Sequence, residues 1–438
     1  MATFETLLHP SMDLTALKQL GQVKTRRVQV NPESGTTFDL TGTATQDVFF
    51  SLPAGSKYTM VNGANSYMCF DITTSNSANT TIGFSNGDAN SVFRSLETTN
   101  QGTTIEQIDR YNVMANVFSD MTSLGKSIQL DSVLQGGCSL VKTPRFNSGT
   151  IASTAFYYRI CVPIYSAFYG VLCSQYAPST DGIRMRWTLE CPDTALQVSS
   201  ATVGESNRYV IENMSMMMEY VDVEPAVWEE LANASGRVFK THGIGVANFN
   251  TTLASGSTSN SILIPCRKSA VKHIWNTVRV SSNLTAPSIN STGARLFPRT
   301  RQFYYTIAGK QYPQIPIRCA NSAGTKFSGG EAMGEFLKTF RNLHSNYTDV
   351  AFTDAEYRDT TGTGVGVLGA GAFVFGYDWE TDADPQTISG IDTNSSNIYL
   401  QLDSAGAGVP SASTLDSFVF YDAILTTNLD TGAISIIQ

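Results

Sequence analysis

Short runs of alternating apolar and polar residues recur along the whole chain, and twice the period changes to that of a helix. Gln46-Asp47-Val48-Phe49-Phe50-Ser51-Leu52 and Ser66-Tyr67-Met68-Cys69-Phe70-Asp71-Ile72 are rich in aromatic and β-branched residues and are bounded by Gly, Pro or Asn, so both are predicted as strands. Further strands are predicted at 156–162, 183–189 and 210–223. Ile105, Ile108, Ala115 and Phe118 recur at three- and seven-residue steps, which predicts a helix over 105–124 with one apolar face. After a short helix at 226–232 the plan starts again, with strands at 261–265, 271–280 and 303–307. A second helix, about 330–344, carries a stripe of Met333, Phe336, Leu337 and Phe340, read as core. The first half closes on Met216-Met217-Met218-Glu219-Tyr220-Val221 and the second on Phe418-Val419-Phe420-Tyr421-Asp422-Ala423. A β-unit used twice, with a helix at an equivalent place each time, points to building material rather than to an active site.

Length agrees with two domains, since 438 residues at roughly 100–200 per domain leave room for little more. The expected division is an N-terminal arm at 1–35, a first β-domain at 36–232 and a second at 233–438. Only 15% of residues are charged, against roughly 25% in ordinary soluble domains. A surface so poor in charge lacks the usual protection against association, and subunit contacts are expected to cover much of it. Net charge is −8, yet residues 346–438 hold thirteen acids against one base, Arg358, so the first 345 residues are mildly basic. The basic cluster near the N-terminus, Lys24, Arg26 and Arg27, is too small for a dedicated nucleic-acid arm, because affinity for phosphate grows with each neutralised contact. Seven cysteines without a C-x-x-C spacing predict buried free thiols rather than a disulfide framework or a zinc site. No signal peptide and no apolar run of the ~20 residues needed to span a bilayer are expected.

Candidate chemistry is sparse. Gly364-Val365-Gly366-Val367-Leu368-Gly369 has dinucleotide-loop spacing, but the segment after it is strand-like where a helix is required. Gly125-Lys126-Ser127 follows a predicted helix instead of preceding one, so Gly125 is read as a helix cap. Asp378, Glu380, Asp382 and Asp384 alternate as cation ligands could, but lack the central glycine and terminal glutamate of an EF-hand; a solvated acidic loop is the favoured reading. The four histidines have no metal-binding spacing and no G-x-S-x-G elbow occurs. No catalytic, cofactor-binding or metal-ligating residue is predicted, and no enzyme, cofactor or small-molecule substrate is expected. The polar stretches 73–90 and 281–294 are expected as exposed loops at one end of the domains.

Several stretches together resemble one family. Val48-Phe49-Phe50-Ser51-Leu52-Pro53 followed by Ala64-Asn65-Ser66-Tyr67-Met68-Cys69-Phe70 is similar to its opening strand pair. Thr104-Ile105-Glu106-Gln107-Ile108-Asp109-Arg110-Tyr111-Asn112 resembles its first inserted helix start. Ile307-Ala308-Gly309-Lys310-Gln311-Tyr312-Pro313 before the helix near Glu331 is similar to the counterpart in its second half. Phe373-Val374-Phe375-Gly376-Tyr377-Asp378, Ser389-Gly390-Ile391 and Phe420-Tyr421-Asp422-Ala423 complete the likeness. The family is the double jelly-roll major capsid proteins of tailless icosahedral DNA viruses, the lineage of adenovirus hexons, membrane-containing phages and virophages. The resemblance implies an all-β chain of two consecutive eight-stranded antiparallel jelly rolls, each with one prominent inserted helix. It implies a capsid protein found in the virion and made in the host cytoplasm or nucleus. Homotrimers would form pseudo-hexagonal tiles of an icosahedral shell, with penton or minor capsid proteins as further partners. The arm would meet an internal membrane or the genome. Two other readings stay open: a single jelly-roll capsid protein with a projection domain, and a carbohydrate-binding β-sandwich adhesin or spike.

Overall fold

The computed structural model describes residues 24–77, 82–85, 89–121, 154–173, 176–198, 207–284, 286, 291–321, 326–341, 352, 354–361, 371–380 and 389–438. In the first half the strands are β1 (Lys24–Val30), β2 (Phe38–Thr41), β3 (Gln46–Ser51), β4 (Thr59–Asn76), β5 (Ile82–Phe84), β6 (Phe93–Asn100), β7 (Thr103–Ile108), β8 (Thr154–Pro163), β9 (Ala177–Pro178), β10 (Ile183–Leu189), β11 (Leu196–Val198) and β12 (Asn207–Asp222). Those of the second half are β13 (Val238–Leu253), β14 (Ser259–Ile264), β15 (Val271–Val280), β16 (Thr300–Ile307), β17 (Lys310–Arg318), β18 (Val374–Asp378), β19 (Ile398–Ser404), β20 (Ser413–Asn428) and β21 (Ile434–Ile437).

Strand pairing repeats between the halves. The second half has one sheet in the order β13-β20-β15-β18 and a facing sheet in the order β14-β19-β16-β17. The first has β12-β4-β8, with β1 and β2 both pairing β12 in the place of a single first strand, and the facing sheet β3-β10-β6-β7. Each half is thus an eight-position antiparallel jelly roll, as expected. Alternation puts one face of each strand in the core: in β10 Ile183, Met185, Trp187 and Leu189 are buried while Arg184 is exposed. The core of β16 is filled in the same way by Phe303, Tyr305 and Ile307.

Three expectations need correction. Residues 105–108 are strand, not helix: β7 pairs with β6 in the register Leu96↔Ile108 and Glu97↔Gln107. The two strands are joined by Gln101 (φ 47°) and Gly102 (φ 85°), two positive-φ residues of the kind a tight hairpin needs. The helix begins only after Arg110, which adopts a left-handed conformation, and runs over Tyr111–Asp120. The second helix spans Gly330–Arg341. Second, part of the expected arm is sheet, because β1 pairs along β12 from Lys24↔Asp222 to Val30↔Met216; residues 1–23 lie outside the described residues. Third, the polar stretches expected as exposed loops are partly buried. Ile82–Phe84 pairs with Leu196–Val198, and Ser85 Oγ meets Ser291 Oγ (3.3 Å) and Thr292 Oγ1 (3.2 Å) across the two halves. These short hydroxyl side chains satisfy one another in a dry junction, which their polarity alone does not reveal. The expected division at 232/233 falls within a helix, Pro225–Ala234, between the last strand of one roll and the first of the next.

Candidate functional site

The two rolls meet along a buried seam, and β15 explains why one exists. All ten of its residues are buried, so both faces are covered, one by the core of the second roll and one by the first roll. On the seam side Trp275 packs against Phe118 of the first-roll helix (4.8 Å between ring centres), Phe340 of the second-roll helix (4.7 Å, stacked) and Phe420 of β20 (4.2 Å). Its indole N–H donates to Thr339 Oγ1 at 2.8 Å, so the ring buries no orphan donor. The paired helices thus clasp one tryptophan from opposite rolls.

Polar bonds complete the seam. Arg295 of the second roll, fully buried, pairs with Asp120 at the end of the first-roll helix and donates to Asn116 Oδ1 at 3.1 Å. The Ile244 amide donates to the Leu172 carbonyl at 3.1 Å, a backbone bond from one roll to the other. Beside it, a Cβ on Gly243 would come within 1.8 Å of the Ala167 carbonyl oxygen, so glycine is required for this approach. Glu106, buried in β7, accepts from Ser166 Oγ at 2.6 Å and from the Ala167 amide at 2.7 Å. Burial pushes its carboxyl up to about 7 against the pull of those two donors.

A second polar cluster lies where β13, β15, β18 and β20 come together. His242 Nε2 and Asp422 Oδ1 are 2.6 Å apart, Lys272 Nζ lies 3.1 Å from the same oxygen, and Lys272 also pairs with Glu380. These four side chains are at most 2% exposed, so no substrate reaches them. Burial also pushes Glu380 up to about 7, with Lys272 opposing. Of the four acids read as a solvated loop, Asp378 and Glu380 instead join this cluster; Asp382 and Asp384 lie outside the described residues. His273 and Lys272 escaped the sequence reading because they sit about a hundred residues before their partners, and only the pairing His273↔Asp378 joins them. The 364–369 and 125–127 motifs also lie outside the described residues.

An open depression of about 350 Å³, lined among others by Ser51, Thr99, Asp181 and Arg184, holds no nucleophile beside a base, and Arg184 is already paired with Glu33 at 2.5 Å. Leu263 and Tyr399, 45% and 41% exposed, are cross-strand partners on one outer face of the second roll, and Ile315 of the edge strand β17 is 69% exposed. The basic cluster is tied to the sheet: Arg26 bonds Asp222 at 3.2 Å over the Tyr220 ring, and Arg27 lies over Tyr67.

No protein-family model matches the sequence, and no curated protein does. Solved structures do. A chain of the Sputnik virophage is 14% identical, with a TM-score of 0.55 over 95% of this chain and 88% of that one. The mavirus major capsid protein is 10% identical, with a TM-score of 0.54 over 94% and 89%. The Faustovirus major capsid protein is 8% identical, with a TM-score of 0.54 over 92% and 90%. At such identities the likeness is one of architecture: over more than nine-tenths of its length this chain shares the double jelly-roll fold of the mavirus and Faustovirus major capsid proteins.

Proposed function

We propose that this chain is a viral major capsid protein that assembles into the shell of an icosahedral virion. The observation that carries the reading is the mutual coverage with the mavirus major capsid protein, 94% of this chain and 89% of that one. That match spans both rolls and the junction between them. The buried His242, Lys272, Glu380 and Asp422 pair with one another at no more than 2% exposure, out of reach of a substrate. A trimer supplies six rolls and so a pseudo-hexagonal tile. The low charge, together with Leu263, Tyr399 and Ile315 on outer faces, supports extensive contact with neighbouring copies. Penton or minor capsid proteins would fill the positions that six-fold tiles cannot. An N-terminal arm, expected at 1–35 from the sequence, would tie the tile to its neighbours, to a membrane or to the genome.

Light scattering on the size-exclusion peak tests this directly. The expected mass is three times the 47.4 kDa of one chain, with hexagonal tiles in negative stain. A monomer that retains glycan would replace this reading with the adhesin. Deleting residues 2–23 is expected to leave trimers intact and to impair shell formation.

A further inference from the structure

Strands β15 and β18 bring one imidazole and two carboxylates together: the ligand atoms of His273, Asp378 and Glu380 all lie within 4.8 Å of one another. Two features separate this group from an ordinary acidic patch. His273 is fully buried, and neither of its ring nitrogens has a hydrogen-bond partner. Its ring is held in place by stacking on Phe420 (4.5 Å) and Trp275 (5.8 Å), so the nitrogens cannot turn away to water. The buried Oε2 of Glu380 is also without a partner. A buried acceptor left unsatisfied in this way weakens the fold unless something binds it.

Charge points the same way. Lys272 is the ammonium that pairs with both Glu380 and Asp422, while Asp378 stands beside Glu380. One positive charge faces three carboxylates, and His242 already engages Asp422. A dication would neutralise the remainder. We propose that His273, Asp378 and Glu380 hold one divalent cation of the zinc or manganese class. One nitrogen and two carboxylates suit these ions better than calcium, which takes six to eight oxygens. Ligands about 2.1 Å from one ion stand at most about 4.2 Å apart, and about 3.4 Å apart in a tetrahedral site, so the three must close by roughly half to one and a half ångström. The half-buried Asp378 marks the side from which the ion enters. Bound there, it joins β15 to β18 directly behind Trp275 and stiffens the seam. The inference rests on the cluster alone and stands whether or not the chain forms a shell.

The test uses the full chain, stripped with chelator and refilled with zinc or manganese in turn, followed by metal analysis, calorimetric titration and melting. His273→Phe keeps the stacking and removes the nitrogens, and Asp378→Asn alters a half-buried ligand. Expected are one ion per wild-type chain, a melting temperature that rises on refilling, and affinity lowered beyond the roughly 100-fold typical of lost supporting contacts in both variants. The metal-free His273→Phe protein should melt no lower than the metal-free wild type, which distinguishes lost ligation from misfolding. A wild-type chain that neither binds an ion stoichiometrically nor melts higher with one overturns the proposal. So does His273→Phe binding as tightly as wild type.

Discussion

Trp275 collects aromatic rings from both rolls, and at the residue scale it is the apolar centre of their junction. Trp275→Ala would leave Phe118, Phe340 and Phe420 around a cavity and is expected to cost about 3–5 kcal/mol. The denaturant midpoint should fall without a change in slope. Arg295 is a different case, because its burial is costly and Asp120 offsets it. Arg295→Ala should cost about 3–5 kcal/mol, while replacing Arg295 and Asp120 together by apolar residues should recover much of the loss in a double-mutant cycle. Glu106 adds a pH dependence whose sign follows from its raised pKa. The folded protein retains this proton up to about pH 7, whereas an unfolded chain releases it near 4.5. The stabilisation is therefore complete below about pH 4.5 and is lost as pH rises through 7, on the order of 3 kcal/mol in all. In melting curves between pH 5 and 7.5, wild type should lose ground to Glu106→Gln, whose amide can keep both hydrogen bonds; parallel curves would show that Glu106 is not the source. None of these residues is singled out by sequence. Trp275 stands in an apolar run like several others, and Glu106 falls inside the stretch predicted as helix, since the seam that buries both is made by segments far apart in the chain.

At the scale of elements, the two hairpins that precede the helices show what was legible. Gln101-Gly102 and Ala308-Gly309 each join a strand pair at the same place in their roll, with both residues at positive φ. The second was visible in the sequence as a strand before Gly309. The first was hidden, because Ile105 and Ile108 mimic a helical step, and the helix was begun six residues early. Strand positions fared better: the prediction for 271–280 coincides with β15 and that for 183–189 with β10. Alternation reports one buried face, however, and not what covers the other, so the polar stretches that meet across the rolls read as exposed loops. Two glycines separate conformation from crowding. At Gly309 (φ 76°) a Cβ meets nothing within 4 Å, so Gly309→Ala should cost only the left-handed backbone, roughly 1–2 kcal/mol. At Gly243 the Cβ would strike a backbone oxygen that cannot move without the rest of its loop. Gly243→Ala should therefore destabilise several-fold more, by equilibrium denaturation, and two similar values would contradict the seam described here.

For the whole molecule, the seam makes two rolls into one cooperative unit. Calorimetry is expected to show a single transition with equal calorimetric and van't Hoff enthalpies, and two resolved peaks would mean that the rolls are independent. Separately expressed halves, divided at 234/235, should be poorly soluble, each with half of the seam uncovered. The duplicated plan was readable from period and order alone; the seam that unites the copies was not. It also sets a timetable for synthesis. The first-roll helix, with Phe118, is translated some three hundred residues before Phe420 of the closing strand. At about 5–20 residues per second, its aromatic face waits roughly 15–60 s for its cover. During that interval the nascent first roll is an unfinished surface on a crowded polysome, where identical neighbours carry the same exposed patch. The chain's greatest exposure to wrong partners is therefore expected before release, and slower translation should lower the yield of correctly folded chain.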